Sequence, residues 1–239
     1  PLLAATAEGA GAALPPHVLG IARARDASCS DPLACTAAAV CFRPRCGDGA
    51  PRVAFGGRDG IIRVAECDGK INAIVARAGV TGLPIETASF LGGSDEMMLT
   101  GRRPFLYTFD AASERVDKIP RVLGRSERSF AVHASCPRGR RVALLGDGGT
   151  VVLLDGRTRH WTADLRINGR VAALCFDADG GRLYAAGSDG DVYAFDADTG
   201  RCAGRWHDED GTGVTALACV GTAREGTAVA VGCGSGAVS

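Results

Sequence analysis

The feature that bears hardest on the fold is a period. Gly60 closes the stretch GGRDG, Pro104 closes TGRRP, Gly149 closes LGDGG, Gly190 closes GSDG and Gly236 closes CGSG, at steps of 44, 45, 41 and 46 residues. After each of the first four comes an apolar run with an acid six positions on. IIRVAE ends at Glu66, FLYTFD at Asp110, TVVLLD at Asp155 and DVYAFD at Asp196. Five turns and four acids in one register mark an internal repeat, and a repeat decides the architecture before any local pattern does.

Each unit has the same plan. A strand such as TASF or AALCF leads to a turn rich in Gly, Asp or Pro. A short strand that is apolar on both faces follows (RVAFGG, MMLTG, RVALLG, RLYAAG, AVAVG), then the tight turn and a third strand ending in the acid. The fourth strand is more polar: INAIVA, RVDKIP, HWTADLRI and RCAGRWH. Four short strands per period of roughly 40–45 residues is the pattern of a WD40 propeller blade. The expected class is therefore all-β: a WD40 β-propeller with blades over about 37–79, 83–124, 128–168 and 170–210, and a partial blade from about 213. HVLGIARAR would supply a closing outer strand ahead of the first blade. A ring of seven such blades needs roughly 300 residues, so this chain reads as part of one. Residues 1–17 are expected to be a flexible lead-in and 18–239 the propeller. RINGRV, around Asn168 and Gly169, looks like a two-residue hairpin, yet the register makes it the link between two blades.

The stretch GSDGDVYAFDADTG, residues 187–200, concentrates Asp189, Asp191, Asp196 and Asp198. A calcium loop of the EF-hand kind needs its acidic ligands spread through twelve residues ending in Glu, and that pattern is absent. In the repeat register Asp189 belongs to the turn between the second and third strands, where Asp and Gly suit the backbone. Asp196 takes the place of the acid in a Trp-Asp pair, with Phe195 in place of Trp, and DADTG is the next turn. The cluster reads as architecture.

Chemistry is not indicated elsewhere. Lys plus Arg and Asp plus Glu are both 27, so no overall field draws the chain to nucleic acid or to an acidic membrane. The ten cysteines include no C-x-x-C pair, and Cys29, Cys35, Cys41 and Cys46 match no common zinc spacing. Cys175 and Cys219 lie in apolar runs and read as reduced core thiols, which points to an intracellular setting. The four histidines, His17, His133, His160 and His207, fall in different units. There is no G-x-S-x-G and no phosphate-cradling glycine motif. Asp208, Glu209 and Asp210 read as a solvated acidic turn. No window approaches the roughly 18 apolar residues of a membrane helix. The expectation is a chain without cofactor, metal, small-molecule substrate or membrane partner, and not an enzyme.

LRINGRVAALCF, RLYAAGSDGDVYAFDADTGRCAGRWHDEDGTGVTALA and TGRRPFLYTFDAAS resemble the propeller of the U3 small nucleolar RNA-associated protein 18 family. The order of segments is similar: a basic-Ile-Asn-Gly linker, a blade ending in Phe-Asp, the loop Trp206 to Gly211, then a Gly–Ser turn. No Gly–His pair precedes a first strand here, and no Trp fills a Trp-Asp position. The resemblance implies a nucleolar scaffold of the small-subunit processome, the particle that processes pre-ribosomal RNA with the U3 ribonucleoprotein. Other WD40 propeller subunits would be its partners, with U3 and pre-rRNA as further contacts. The family's N-terminal helicase-recruiting motif is not found in these residues, and that role is not carried over. A propeller alone would equally suit a WD40 adaptor of another complex, such as a ubiquitin-ligase substrate receptor.

The register also distributes charge. On one face of the expected propeller, the loops carry Arg58, Arg102 and Arg103, then Arg125 and Arg128, and further round Asp147, Asp189 and the acids 208–210. On the other face Arg43, Arg45, Arg138, Arg140 and Arg141 fall in the loops between first and second strands. The basic sectors are the expected contacts for RNA phosphate or acidic protein segments, since the planar guanidinium binds phosphate in two places.

Overall fold

A computed structural model describes residues 35–41, 52–67, 71–79, 84–92, 94–101, 106–119, 130–136, 141–146, 149–207, 213–222 and 226–238. These residues form strands and turns, with no helix among them. The first sheet comprises β1 (Cys35–Cys41), β2 (Arg52–Gly57), β3 (Ile61–Cys67) and β4 (Ile71–Gly79). The second comprises β5 (Ile85–Phe90), β6 (Glu96–Gly101), β7 (Leu106–Asp110) and β8 (Arg115–Ile119). The third comprises β9 (Phe130–Ser135), β10 (Arg141–Gly146), β11 (Val151–Asp155) and β12 (His160–Leu165), and the fourth β13 (Val171–Phe176), β14 (Arg182–Gly187), β15 (Asp191–Asp196) and β16 (Cys202–His207). A hairpin of β17 (Val214–Thr222) and β18 (Gly226–Cys233) follows.

Each four-stranded sheet is an antiparallel meander in chain order. The first strands of successive sheets are neighbours: β1 with β5, β5 with β9, β9 with β13, and β13 with β17. Sheets that meet through their first strands and carry their fourth strands outermost fit a WD-repeat propeller. The expected blade limits fall within a few residues of the sheets. The RINGRV segment joins β12 of one sheet to β13 of the next, with Gly169 at φ 73°, so the interblade reading of that link holds.

The repeat has a physical reason in the second strands. Val142 and Leu144 of β10 pack toward the second sheet with Leu91, Met98 and Ile119, whereas Ala143 and Leu145 of the same strand pack toward the fourth with Leu174, Phe176 and Leu183. Alternate residues of a strand point to opposite faces, so a strand that is apolar throughout must have a neighbour on both sides. β6 behaves likewise: Met97 and Leu99 pack with Ile62 and Val64 of the first sheet, and Met98 with the third. The remaining cluster joins Ala186 and Val192 of the fourth sheet to Val214 of β17. The four apolar clusters among the described residues therefore lie between sheets, and each buried Leu, Val or Met side chain contributes roughly 1.5–3 kcal/mol there.

The turn glycines behave as the period requires. Gly60, Gly149, Gly190 and Gly236 have φ of 73°, 79°, 92° and 87°, the left-handed region that closes the second-to-third-strand turn. Pro104, at the equivalent point of the second sheet, lies outside the described residues. Gly180 is held for a second reason. It lies in the turn after β13 at φ 72°, and a Cβ there would lie 2.0 Å from the Cys136 sulfur of the third sheet. Gly149→Ala incurs only the left-handed backbone cost of about 1–2 kcal/mol. Gly180→Ala adds about 1–3 kcal/mol of overpacking at the joint. Denaturant melts should show the larger loss for Gly180→Ala; equal losses would mean that the joint is not closely packed there.

Candidate functional site

The sheets present two ends to solvent, built from different loops. At the first end lie the turns between second and third strands and the links from one sheet to the next: Ser188 N donates to Arg170 O at 2.7 Å, tying the β14–β15 turn to the preceding link. Asp59 and Asp189 cap these turns, accepting from Ile61 N at 3.1 Å and from Asp191 N at 3.4 Å. Asp59 is also paired with the buried Arg63, whose Nη2 donates to Oδ2 at 2.7 Å. Its carboxyl lies below the usual carboxylate range because Arg63 and the Ile61 N–H offset the cost of burial.

A polar cluster of this end begins at Asp191, the first residue of β15. Its carboxylate is buried, yet it accepts from Tyr193 Oη at 3.1 Å, faces His207 Nδ1 at 2.9 Å and pairs with Arg205. Asn168 N in the incoming link donates to Tyr193 Oη at 3.3 Å, and the Arg205 guanidinium lies 5.5 Å from the Tyr193 ring centroid. Arg205, Trp206 and His207 are all exposed on the outer strand β16, with Trp206 54 % accessible. One buried carboxylate thus fixes two exposed basic side chains at the rim of the fourth sheet. The Arg205 hydrogen bond, assisted by His207 and Tyr193, holds the Asp191 carboxyl down at about 2.

At the second end lie the turns between first and second strands and between third and fourth. The repeat acids do their work here. Asp110 accepts from Ala112 N at 3.1 Å and Ser113 Oγ at 2.7 Å. Asp155 accepts from Arg157 N at 2.8 Å and Thr158 N at 3.0 Å, and Asp196 from Asp198 N at 3.1 Å and Thr199 N at 2.7 Å. Each is a strand-terminal acid that satisfies the N–H groups of the turn it starts, and these bonds lower all three carboxyls from their usual values. Glu66 differs: it accepts from Arg52 across the β2–β3 pair, at 2.9 Å from Nη2.

Three arginines of this end reach from one sheet to the next. Arg52 Nη1 donates to Asp95 of the second sheet at 2.7 Å. Arg141 donates to Gly180 O at 3.0 Å and pairs with Asp198, both in the fourth sheet. Arg159, a non-glycine residue at φ 59°, reaches back to Thr108 Oγ1 at 3.3 Å and Asp117 at 3.5 Å. A polar cleft of about 500 Å³ opens here, lined by Asp95, Glu96, Asp110, Arg115, Asp117 and Arg159 among others. Its serines are engaged with neighbours, Ser94 with Leu91 O and Ser113 with Asp110. Among the described residues no group of His, Cys, Asp and Glu is arranged to hold a metal ion.

Of the arginines expected to contact partners, Arg58 is exposed in the β2–β3 turn. Arg141 is corrected: it is the first residue of β10, not a loop residue, and it clasps the neighbouring sheet. Arg43, Arg45, Arg102, Arg103, Arg125, Arg128, Arg138 and Arg140 lie outside the described residues, as do Asp147 and the acids 208–210. The structure adds the Asp191 cluster and the clasps of Arg52 and Arg159. Two clasps left a trace in the sequence, because RVAF and RVAL put Arg52 and Arg141 at the first position of the second strand.

No family model matches the chain. Among curated proteins, it is 33 % identical over 161 residues to the U3 small nucleolar RNA-associated protein 18 homolog of Arabidopsis thaliana, covering 67 % of this chain and 30 % of that protein. It is 29 % identical over 227 residues to the Homo sapiens homolog, covering 95 % of this chain and 40 % of that protein. The chain is similar to the U3 small nucleolar RNA-associated protein 18 homologs. The Saccharomyces cerevisiae protein of that name is 27 % identical over 235 residues, covering 85 % of this chain and 39 % of its own length. The chain thus spans well under half the length of these relatives.

The Asp191 cluster sets an acid limb. An unfolded Asp titrates near 3.9, so between about pH 4 and pH 2 the native state binds fewer protons at this site than the unfolded state does. The stability it contributes is present above that window and is lost as pH falls through it. Asp191→Asn should therefore be less stable than the parent near pH 5, with the difference shrinking toward pH 2. A difference that stays constant across that range in denaturant titrations would contradict the assignment.

Proposed function

We propose that the chain is a WD40 propeller segment acting as a non-catalytic scaffold in ribosome biogenesis, within the small-subunit processome that works with the U3 small nucleolar RNA. The observation that carries this reading is the extent of the similarity: 95 % of the chain aligns with a protein named for association with that RNA. The relatives are far longer than this chain, so their role is brought here as a proposal. In this reading residues 18–239 are one propeller unit, the four sheets are consecutive blades of a ring of about seven, and the protein works in the nucleolus. Other propeller subunits, the U3 ribonucleoprotein and pre-rRNA are its partners.

The architecture suits the role. Sheets joined to one another by apolar contacts and arginine clasps suit a scaffold that holds loops in place for several partners at once. The basic sectors, Arg58 with Arg102, Arg103, Arg125 and Arg128 on one face, and Arg43, Arg45, Arg138 and Arg140 on the other, are the proposed contacts with RNA phosphate or acidic segments. Arg141 is less available, because the neighbouring sheet engages it.

The test is recovery of RNA and protein with the tagged full-length protein from its own cells. U3 RNA should be enriched over unrelated small RNAs, together with other propeller proteins. Changing Arg58, Arg102 and Arg103 together to Glu should lower U3 recovery several-fold while the fold is retained by circular dichroism. U3 at background, with ubiquitin-ligase subunits recovered instead, would replace the proposal with the adaptor reading.

A further inference from the structure

The joint between the fourth sheet and the β17–β18 hairpin holds two thiols that the scaffold reading does not use. In β13, Ala173 packs in the cluster that contains Val214, Leu217 and Val231, so it points at the hairpin. Cys175 is two residues on in the same strand and therefore shares that face. In β17, Leu217 belongs to the same cluster and points back at the fourth sheet, and Cys219, two residues on, shares its face. The two strands run side by side. The periodicities meet: Cys175 and Cys219 share the two faces that meet at the joint, each influences the other's ionisation, and both are free thiols. Both are partly accessible, whereas Cys136 and Cys233 are buried and Cys202 lies on the outer strand of the fourth sheet.

We propose that Cys175 and Cys219 are a reversible disulfide site that staples the fourth sheet to the next one, with a hydroperoxide or an oxidised thiol such as glutathione disulfide as the oxidant. With a hydroperoxide, the Cys219 sulfur attacks the distal oxygen. An S–O bond forms, the O–O bond breaks, and the leaving oxygen departs as water or alcohol. The Cys175 sulfur then attacks the Cys219 sulfur, the S–S bond forms, and the S–O bond breaks with release of water. Two thiols give up two electrons and their two protons, and one peroxide is reduced. With glutathione disulfide, Cys219 first forms the mixed disulfide and releases one glutathione. Cys175 displaces the second.

The surroundings keep the pair reduced until an oxidant arrives. Burial pushes the Cys175 thiol up to about 12, with Cys219 and the Asp177 carboxylate adding to the effect. Asp177 is fully buried two residues beyond Cys175. Its Oδ1 accepts from Arg182 N at 3.2 Å, while Oδ2 has no hydrogen-bond partner. Burial raises the Cys219 thiol as well, with Asp177 adding to it, and both thiols favour their protonated, slowly reacting form. The pair is thus suited to respond to a sustained oxidant rather than a brief one.

The experiment uses the full chain, exposed to hydrogen peroxide and, separately, to glutathione disulfide, and digested under non-reducing conditions. The expected product is a peptide pair linked through Cys175 and Cys219, lighter by two hydrogens and restored by a reductant, with the oxidised protein melting several degrees higher. Cys175→Ser and Cys219→Ser should each abolish the linked pair, and Cys202→Ser should leave it. Separate sulfinic or glutathionylated forms of the two cysteines in the parent protein would overturn the proposal. So would their random linkage with other cysteines, or linked peptides without a change in melting temperature.

Discussion

A strand that is apolar on both faces needs two neighbours, and β6, β10 and β14 all have that character. Met97 and Met98, or Leu144 and Leu145, are adjacent in sequence and buried on opposite sides of the same sheet. No sheet of this chain can satisfy such a strand alone. The apolar cores consequently form at the joints between sheets, and the chain becomes a row of units, each completed by the next. Stability in such an array is a sum of unit and joint terms. The joints carry the larger part here, because the buried clusters lie in them.

The polar features follow from that arrangement. Once successive sheets are pressed together, their turns crowd at two ends, and the side chains there are chosen for reach or for absence. Arg52, Arg141 and Arg159 bridge sheets whose relative position the apolar joints have already set. Gly180 leaves room for Cys136 and offers its carbonyl to Arg141. Exposed ion pairs contribute little singly, so the clasps are better understood as fixing the register of neighbouring sheets than as the main source of stability.

The period made most of the fold legible. Fixed steps between turn glycines and strand-terminal acids located every described sheet and identified Asn168–Gly169 as a link. The residue type at the acid position was legible too, though its reason came from the geometry: Asp110, Asp155 and Asp196 cap the turns that follow them. Side-chain partnerships were less accessible. Arg141 looked like a loop charge because it stands at the boundary where loop passes into the strand RVALLG, and its partners Asp198 and Gly180 are far along the chain. The Asp191 cluster joins residues of two adjacent strands and a link, a convergence set by pairing register, Asp191 opposite His207. Cys175 and Cys219 were readable as core thiols, but not as a facing pair, since that depends on how two sheets meet.

The account rests on cores that belong to joints, and hydrogen exchange measured peptide by peptide tests it most directly. Leu144→Ala opens the joint between the second and third sheets, and Leu153→Ala the joint between the third and fourth. Each should cost about 2–5 kcal/mol. Leu144→Ala should raise exchange in β6 and β10 while β14 stays protected, and Leu153→Ala should raise it in β10 and β14 while β6 stays protected. Faster exchange confined to the third sheet in both variants would contradict the account.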